Sequence, residues 1–274
     1  MATFRSTTSL SGMMTAETTT RRPTVLDFEA ARAATIDEIR RLTERASLID
    51  PDEWARPTRL PGWTVSKLIA HVISSQECQG EAVRRLLAGS TETPPIPDIA
   101  VTEPATLAKR LAEEGERVID ALEAMEPSHL DQMVPLPFAT VPAAIGIYVM
   151  LIEYAWHRND LAHALDGDTR LDAEIASTAL NLIPGFMPQA ATEVPDPPFA
   201  YEIASTTAPC SFVPADGAWT AGPTGDLPTC RFAGDDSTLA LFALGRLGAD
   251  HPWIEVSGAA ADRAAEFKTW FPGP

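Results

Sequence analysis

From residue 25 to residue 187 apolar side chains return every three or four positions; past about residue 190 that rhythm stops. A spacing of three to four gathers apolar residues into one stripe of a helix, and a helix with such a stripe needs partners to bury it. In the first run the stripe is Leu26, Phe28, Ala31, Ala34, Ile36, Ile39, Leu42 and Leu48, and Pro51, Pro57 and Pro61 punctuate its end. Thr64 then has the residue type of an N-cap, and Val65, Leu68, Ile69, Val72 and Ile73 carry a second helix to about Leu87. Residues 104–125 make a third, through Leu107, Leu111, Val118, Ile119 and Leu122. A loop, "PSHLDQMVPLPFATVP", leads to Pro142, which opens a fourth and more apolar helix reaching about Leu165. Residues 172–187 make a fifth.

The remainder follows different rules. "CSFVPADGAWTAGPTGDLPTCRFAG" is rich in Gly, Pro, Thr and aromatic residues, with short strand-like runs. "STLALFALGRLG" reads as a helix, "HPWIEVSG" as a strand and "AADRAAEFKTWF" as a short closing helix. The expected fold class is α plus α+β: a four-helix, up to five-helix, bundle over residues 25–190, then a small α+β domain over residues 196–274. Residues 1–24 are Ser/Thr-rich without an apolar h-region, and read as a disordered tail rather than a secretory signal or anchor.

Charge and cysteine usage narrow the function classes. A formal net charge of −17 argues against a phosphate-backbone binder and against docking on anionic lipid. No run approaches the ~18–20 apolar residues that span a bilayer. Cys78, Cys210 and Cys230 form no CxxC and suggest a reducing compartment. Together these predict a soluble, cytoplasmic protein, and a neutral or locally paired small ligand stays compatible with the charge.

The chemistry concentrates in "LIEYAWHRNDLAHAL", residues 151–165. Residues four apart on a helix lie about 40° apart around it and about 6 Å apart along it, so Glu153 and His157 project from one face. Asp160 shares the stripe, whereas His163 falls about 120° away from His157. A bundle metal site draws ligands from facing helices, and His71 in "WTVSKLIAHVISSQ" supplies one. Cys78 lies on the same face about 10 Å further along, too far to join it. Two histidines, a carboxylate and an open position suit a catalytic divalent metal, with zinc favoured. The same residues are also compatible with a hydrogen-bonded core histidine and a solvated helix pair. Asp160 fits either an acceptor that orients a ligand or a helix–helix contact. Arg246, an arginine in an apolar helix, calls for an anionic partner: a substrate anion, or an acid such as Asp250 or Glu255. Arg158 is expected to face solvent or another helix, and Trp63 and Trp156 to be core or pocket wall.

"LPGWTVSKLIAHVISSQ" resembles the second helix of the DinB-like proteins. "EYAWHRNDLAHALDGD" resembles the fourth helix of a narrower group, the mycothiol-dependent maleylpyruvate isomerase family, and the "GR", "EV.G" and "F..WFP" features near the C-terminus resemble its second domain. The resemblance implies that the metal ligands are His71, Glu153 and His157, that Arg246 is an anion-binding arginine near the domain junction, and that the cofactors are a divalent metal and mycothiol or a similar thiol. It implies an enzyme that adds a metal-activated thiolate to a small electrophile. Rotation and elimination would make it an isomerase; retention of the adduct would make it an S-transferase. A non-enzymatic small-molecule-binding protein, or a stress-associated DinB-like metal protein, is the alternative.

Overall fold

The computed structural model describes residues 26–136, 140–167, 169–191 and 193–272. The expected tail, residues 1–24, lies outside them. The first four helices are α1 (Phe28–Ser47), α2 (Val65–Leu87), α3 (Pro104–Glu123) and α4 (Ala143–Asp166). Their starts follow local chemistry. The Asp27 carboxylate accepts from the Ala30 N–H (2.9 Å) to start α1, and the Thr64 hydroxyl accepts from the Lys67 N–H (3.4 Å) to start α2. Pro104 sits in the first turn of α3, where a missing N–H costs nothing. α2 packs along α3, and α1 along both α4 and α3. Ile39, Leu42, Leu68, Ile69, Leu111, Leu122, Leu151 and Tyr154 are buried between them. α5 (Ala173–Ala190) continues beyond the expected residue 187, with Pro184 and Pro188 inside it. It touches α4 on one side and the C-terminal elements on the other, so it is a wall shared by both parts.

The stretch read as a loop before α4 contains a short antiparallel pair, β1 (Met133–Pro135) and β2 (Thr140–Pro142). Three residues and two prolines are too few to show a period-2 pattern, and pairing alone defines these strands.

The C-terminal part is a five-stranded sheet of order β5-β4-β3-β6-β7, built from β3 (Ala200–Ile203), β4 (Cys210–Ala215), β5 (Ala218–Ala221), β6 (Thr229–Ala233) and β7 (Glu255–Ser257). Only β3 and β6 run parallel; the other pairs are antiparallel. Asp216 and Gly217 both take positive φ (52° and 77°) in the β4–β5 turn, as a two-residue primed turn requires. α6 (Asp236–Ala243) is capped by Asp235, whose carboxylate accepts from the Thr238 N–H. A 3-10 turn (Ala261–Glu266) leads into α7 (Phe267–Trp270). The core here is aromatic: Tyr201 meets Phe267 edge to face (5.0 Å), and Phe232 meets Phe242 (4.4 Å). Cys210 and Cys230 lie on strands either side of β3, opposite Ile203 and Tyr201, and are unpaired. Burial pushes their thiols up to about 12 and about 11, so neither is a ready nucleophile.

Gly258 ends β7 at φ 98°, and a Cβ there would stand 2.2 Å from the Thr229 carbonyl oxygen. Gly258→Ala is therefore expected to destabilise the protein by more than ~2 kcal/mol, read as a lower urea midpoint at unchanged slope. An unchanged midpoint would contradict this account of the turn.

The segment before α5 adds polar contacts to the shared wall. The Leu171 N–H donates to Ser237 Oγ (2.8 Å), and the Arg170 guanidinium lies 3.6 Å over the Trp253 ring while donating to Asp235 and Thr238. Among the described residues, no helix is long and apolar enough to cross a membrane.

Candidate metal centre

α2 and α4 face each other with His71 on one and Glu153 and His157 on the other. The three ligand-type atoms lie within 4.8 Å of one another. His71 Nε2 is 3.0 Å, and His157 Nε2 3.4 Å, from the same oxygen, Glu153 Oε1. Two ligands bonded at about 2.05 Å with tetrahedral angles stand about 3.3 Å apart, so these separations suit one small cation. His71 is 38% exposed and His157 only 6%, so the site opens on the His71 side. Trp63 covers the cluster: its ring meets His71 edge to face at 4.9 Å and lies parallel to His157 at 6.4 Å.

Asp160 is wholly buried and ties the cluster to the rest of the fold. Its Oδ2 accepts from His157 Nδ1 (3.1 Å) and from Arg246 Nη2 (3.1 Å), and its Oδ1 accepts from Arg59 Nε (2.7 Å). Donation from Nδ1 leaves the Nε2 lone pair of a neutral His157 facing Glu153, the tautomer a metal requires. Burial raises the Asp160 carboxyl, but the His157 hydrogen bond and the Arg246, His157 and Arg59 charges outweigh it and keep the group ionised. Burial likewise raises Glu153, and the charges and hydrogen bonds of His157 and His71 pull it well below the usual carboxylate range. Burial lowers His157, yet the Glu153 charge and the Asp160 hydrogen bond carry it up to about 9.

The last shift fixes a sign. A cation must displace the His157 proton, so apparent zinc affinity is expected to rise with pH, ~10-fold per unit for one proton, and to level off above about 9. In the metal-free protein the raised group instead favours folding below about pH 6.5, an advantage lost as pH climbs through about 9. Chelator competition at several pH values checks the first trend; a flat profile would contradict it.

Of the residues singled out from sequence, His71, Glu153, His157 and Asp160 come together, and Arg246 joins them through Asp160. Arg246 pairs with Asp160 rather than Asp250 or Glu255. It also stands in the turn after α6 and not within the helix, because α6 ends at Ala243. Arg158 reaches a neighbouring helix and pairs with buried Glu38. Trp156 is core and Trp63 is pocket wall. His129 and His251 are half-buried, outside the cluster; the Nδ1 of each accepts a backbone N–H, from Glu126 and Trp253. Cys78 is buried and is not one of the three grouped donors. Sequence reasoning passed over Arg59 and Ser75. Arg59 lay in a segment that read only as a proline-punctuated break. Ser75, whose hydroxyl donates to Glu153 Oε1 (2.7 Å), carried one available signal, its position one turn beyond His71.

Residues 35–162 match the family model described as the mycothiol maleylpyruvate isomerase N-terminal domain. Two solved structures share the fold. One, a mycothiol-dependent maleylpyruvate isomerase, has a TM-score of 0.64 and 21% identity over 85% of this chain and 93% of that chain. The other, a histidine-to-alanine mutant of the mycothiol-dependent maleylpyruvate isomerase, has a TM-score of 0.65 and 20% identity over the same shares. A comparison with curated proteins gave no match.

Proposed function

We propose, from the premise that the helical unit of this chain belongs to the mycothiol maleylpyruvate isomerase N-terminal domain family, that the protein is a metal- and thiol-dependent enzyme acting on a small electrophile. The observation that carries this reading is the His71, Glu153 and His157 donor set within 4.8 Å, with the far nitrogen of His157 already held by Asp160. The donors fit a divalent cation, and two imidazoles with one carboxylate favour zinc.

With a divalent cation and a low-molecular-weight thiol of the mycothiol type bound, the pair supplies a thiolate nucleophile for an activated double bond, the chemistry of cis–trans isomerisation or S-conjugation. The chain's own residues do the rest. Glu153 brings the one negative charge among the donors, and Asp160 fixes the His157 ring. Trp63 packs against both imidazoles and walls one side of the cluster, while the His71 side stays open to an incoming molecule. Arg246 brings positive charge from the C-terminal unit toward the cluster for a developing enolate or carboxylate. Its Nε and Nη2 face Asp160 and its Nη1 donates to the Leu244 carbonyl, which fixes where that charge sits. In this reading residues 25–190 form the domain that carries the donors, and residues 196–274 form the domain that closes over them.

Metal analysis tests the reading. Purified protein incubated with Zn²⁺ and desalted is expected to hold about one zinc per chain, and to turn over an activated double-bond substrate only when thiol is added. A metal content below ~0.2 per chain after loading would sink it.

A further inference from the structure

Glu153 offers a single oxygen to the whole cluster. Oε1 faces His71 Nε2 at 3.0 Å and His157 Nε2 at 3.4 Å, and also accepts the Ser75 hydroxyl at 2.7 Å. Ser75 stands four residues after His71, so α2 presents an imidazole and a hydroxyl to the same carboxylate, one turn apart. A serine inside a helix can point to solvent or bond back to the carbonyl one turn earlier. Here the hydroxyl goes across to α4 instead.

We propose that Ser75 is a positioning residue whose hydroxyl holds Glu153 as a one-oxygen donor, keeping the protein's contribution to the centre at three atoms and the remaining position open. The inference rests on the metal-centre reading above. The terminal torsion of a glutamate is broad, so an untethered carboxylate turns easily. Each carboxylate oxygen has two acceptor sites. The Ser75 hydroxyl takes one on Oε1 and leaves the other toward the imidazoles. Turning the carboxylate to bring both oxygens onto one cation moves Oε1 relative to the Ser75 hydroxyl, so the 2.7 Å bond opposes that turn. A two-oxygen glutamate would also fill the position that an incoming thiol needs, since catalytic sites of this kind work through three protein donors and one open position. Ser75 thus acts on the openness of the centre as well as on its affinity.

The test compares wild type, Ser75→Ala and Ser75→Thr, each stripped of metal and reloaded with Zn²⁺ or Co²⁺. Zinc affinity is read by chelator competition. The visible absorption of the cobalt form reads coordination number, because it weakens as four ligands become five or six. The melting temperature of the stripped proteins reads folding. Ser75→Ala is expected to bind zinc ~10-fold more weakly and to give a weaker cobalt spectrum, while melting with wild type. Ser75→Thr, which keeps the hydroxyl, is expected to restore most of both losses. A Ser75→Ala protein with wild-type affinity and spectrum overturns the proposal, as does a Ser75→Thr protein impaired equally with Ser75→Ala. Wild type that takes up neither ion removes the metal-centre reading and this proposal with it. Wild type that loads normally while Ser75→Ala matches it removes only the role of Ser75.

Discussion

Glu153→Gln protein is expected to be folded, to hold no tightly bound zinc, and to lose thiol-dependent turnover by at least ~10³-fold. The substitution keeps the side chain's shape and removes its charge. Oε1 is the atom that His71 Nε2, His157 Nε2 and the Ser75 hydroxyl all approach, so the change falls on the meeting point of the cluster. An amide oxygen is a poor substitute for a carboxylate among the usual zinc ligands. Metal-derived charge stabilisation is worth several kcal/mol, and about 1.4 kcal/mol is a factor of ten in rate. Circular dichroism, metal analysis and turnover on one preparation check the expectation. A folded Glu153→Gln protein with about one zinc per chain and near-normal turnover would refute the assignment of Glu153.

Asp160→Ala is expected to cost stability as well as metal. The carboxylate is fully buried and faces two guanidiniums that are themselves 9% and 6% exposed. Removing it leaves Arg59 and Arg246 crowded together without the charge between them, and breaking a buried pair in this way costs ~3–5 kcal/mol. For a chain of this size that corresponds to a fall in melting temperature on the order of 10 °C. Zinc affinity should fall as well, because His157 loses the acceptor that orients it. Calorimetry and chelator competition read the two effects separately. A melting temperature within ~2 °C of wild type would show that the arginines find other anions and that the cluster is not a structural pin.

The parts of this architecture that depend on local period were legible in the sequence. α1 to α5 fall where the 3–4 spacing places them, and Thr64 caps α2 as its residue type suggests. That Glu153 and His157 share a face was readable for the same reason, since helix geometry converts spacing into direction. His71 was expected beside them from bundle packing and the family resemblance, and its ring nitrogen does lie near their donor atoms. What depends on partners was not readable. Arg59 reaches Asp160 and Asn159 from a loop, and no periodicity says where a loop side chain points. Arg246 was found as a residue, but its partner was sought nearby, whereas the acid it meets lies 86 positions earlier. The parallel β3–β6 pair and the β1–β2 pair likewise rest on pairing between segments too short to carry a pattern.

The separation between Asp160 and Arg246 bears on how the protein is made. All three donors lie on α2 and α4, so the donor set is complete once the chain has been synthesised through Asp166. At ~5–20 residues per second, Arg246 follows some time later, on the order of ten seconds after Asp160 has been added. Until then the contacts available to Asp160 from earlier in the chain are those of Arg59 and His157, and the C-terminal sheet has yet to be made. On the proposed reading, the donor atoms are therefore all synthesised before the residue that links them to the second part.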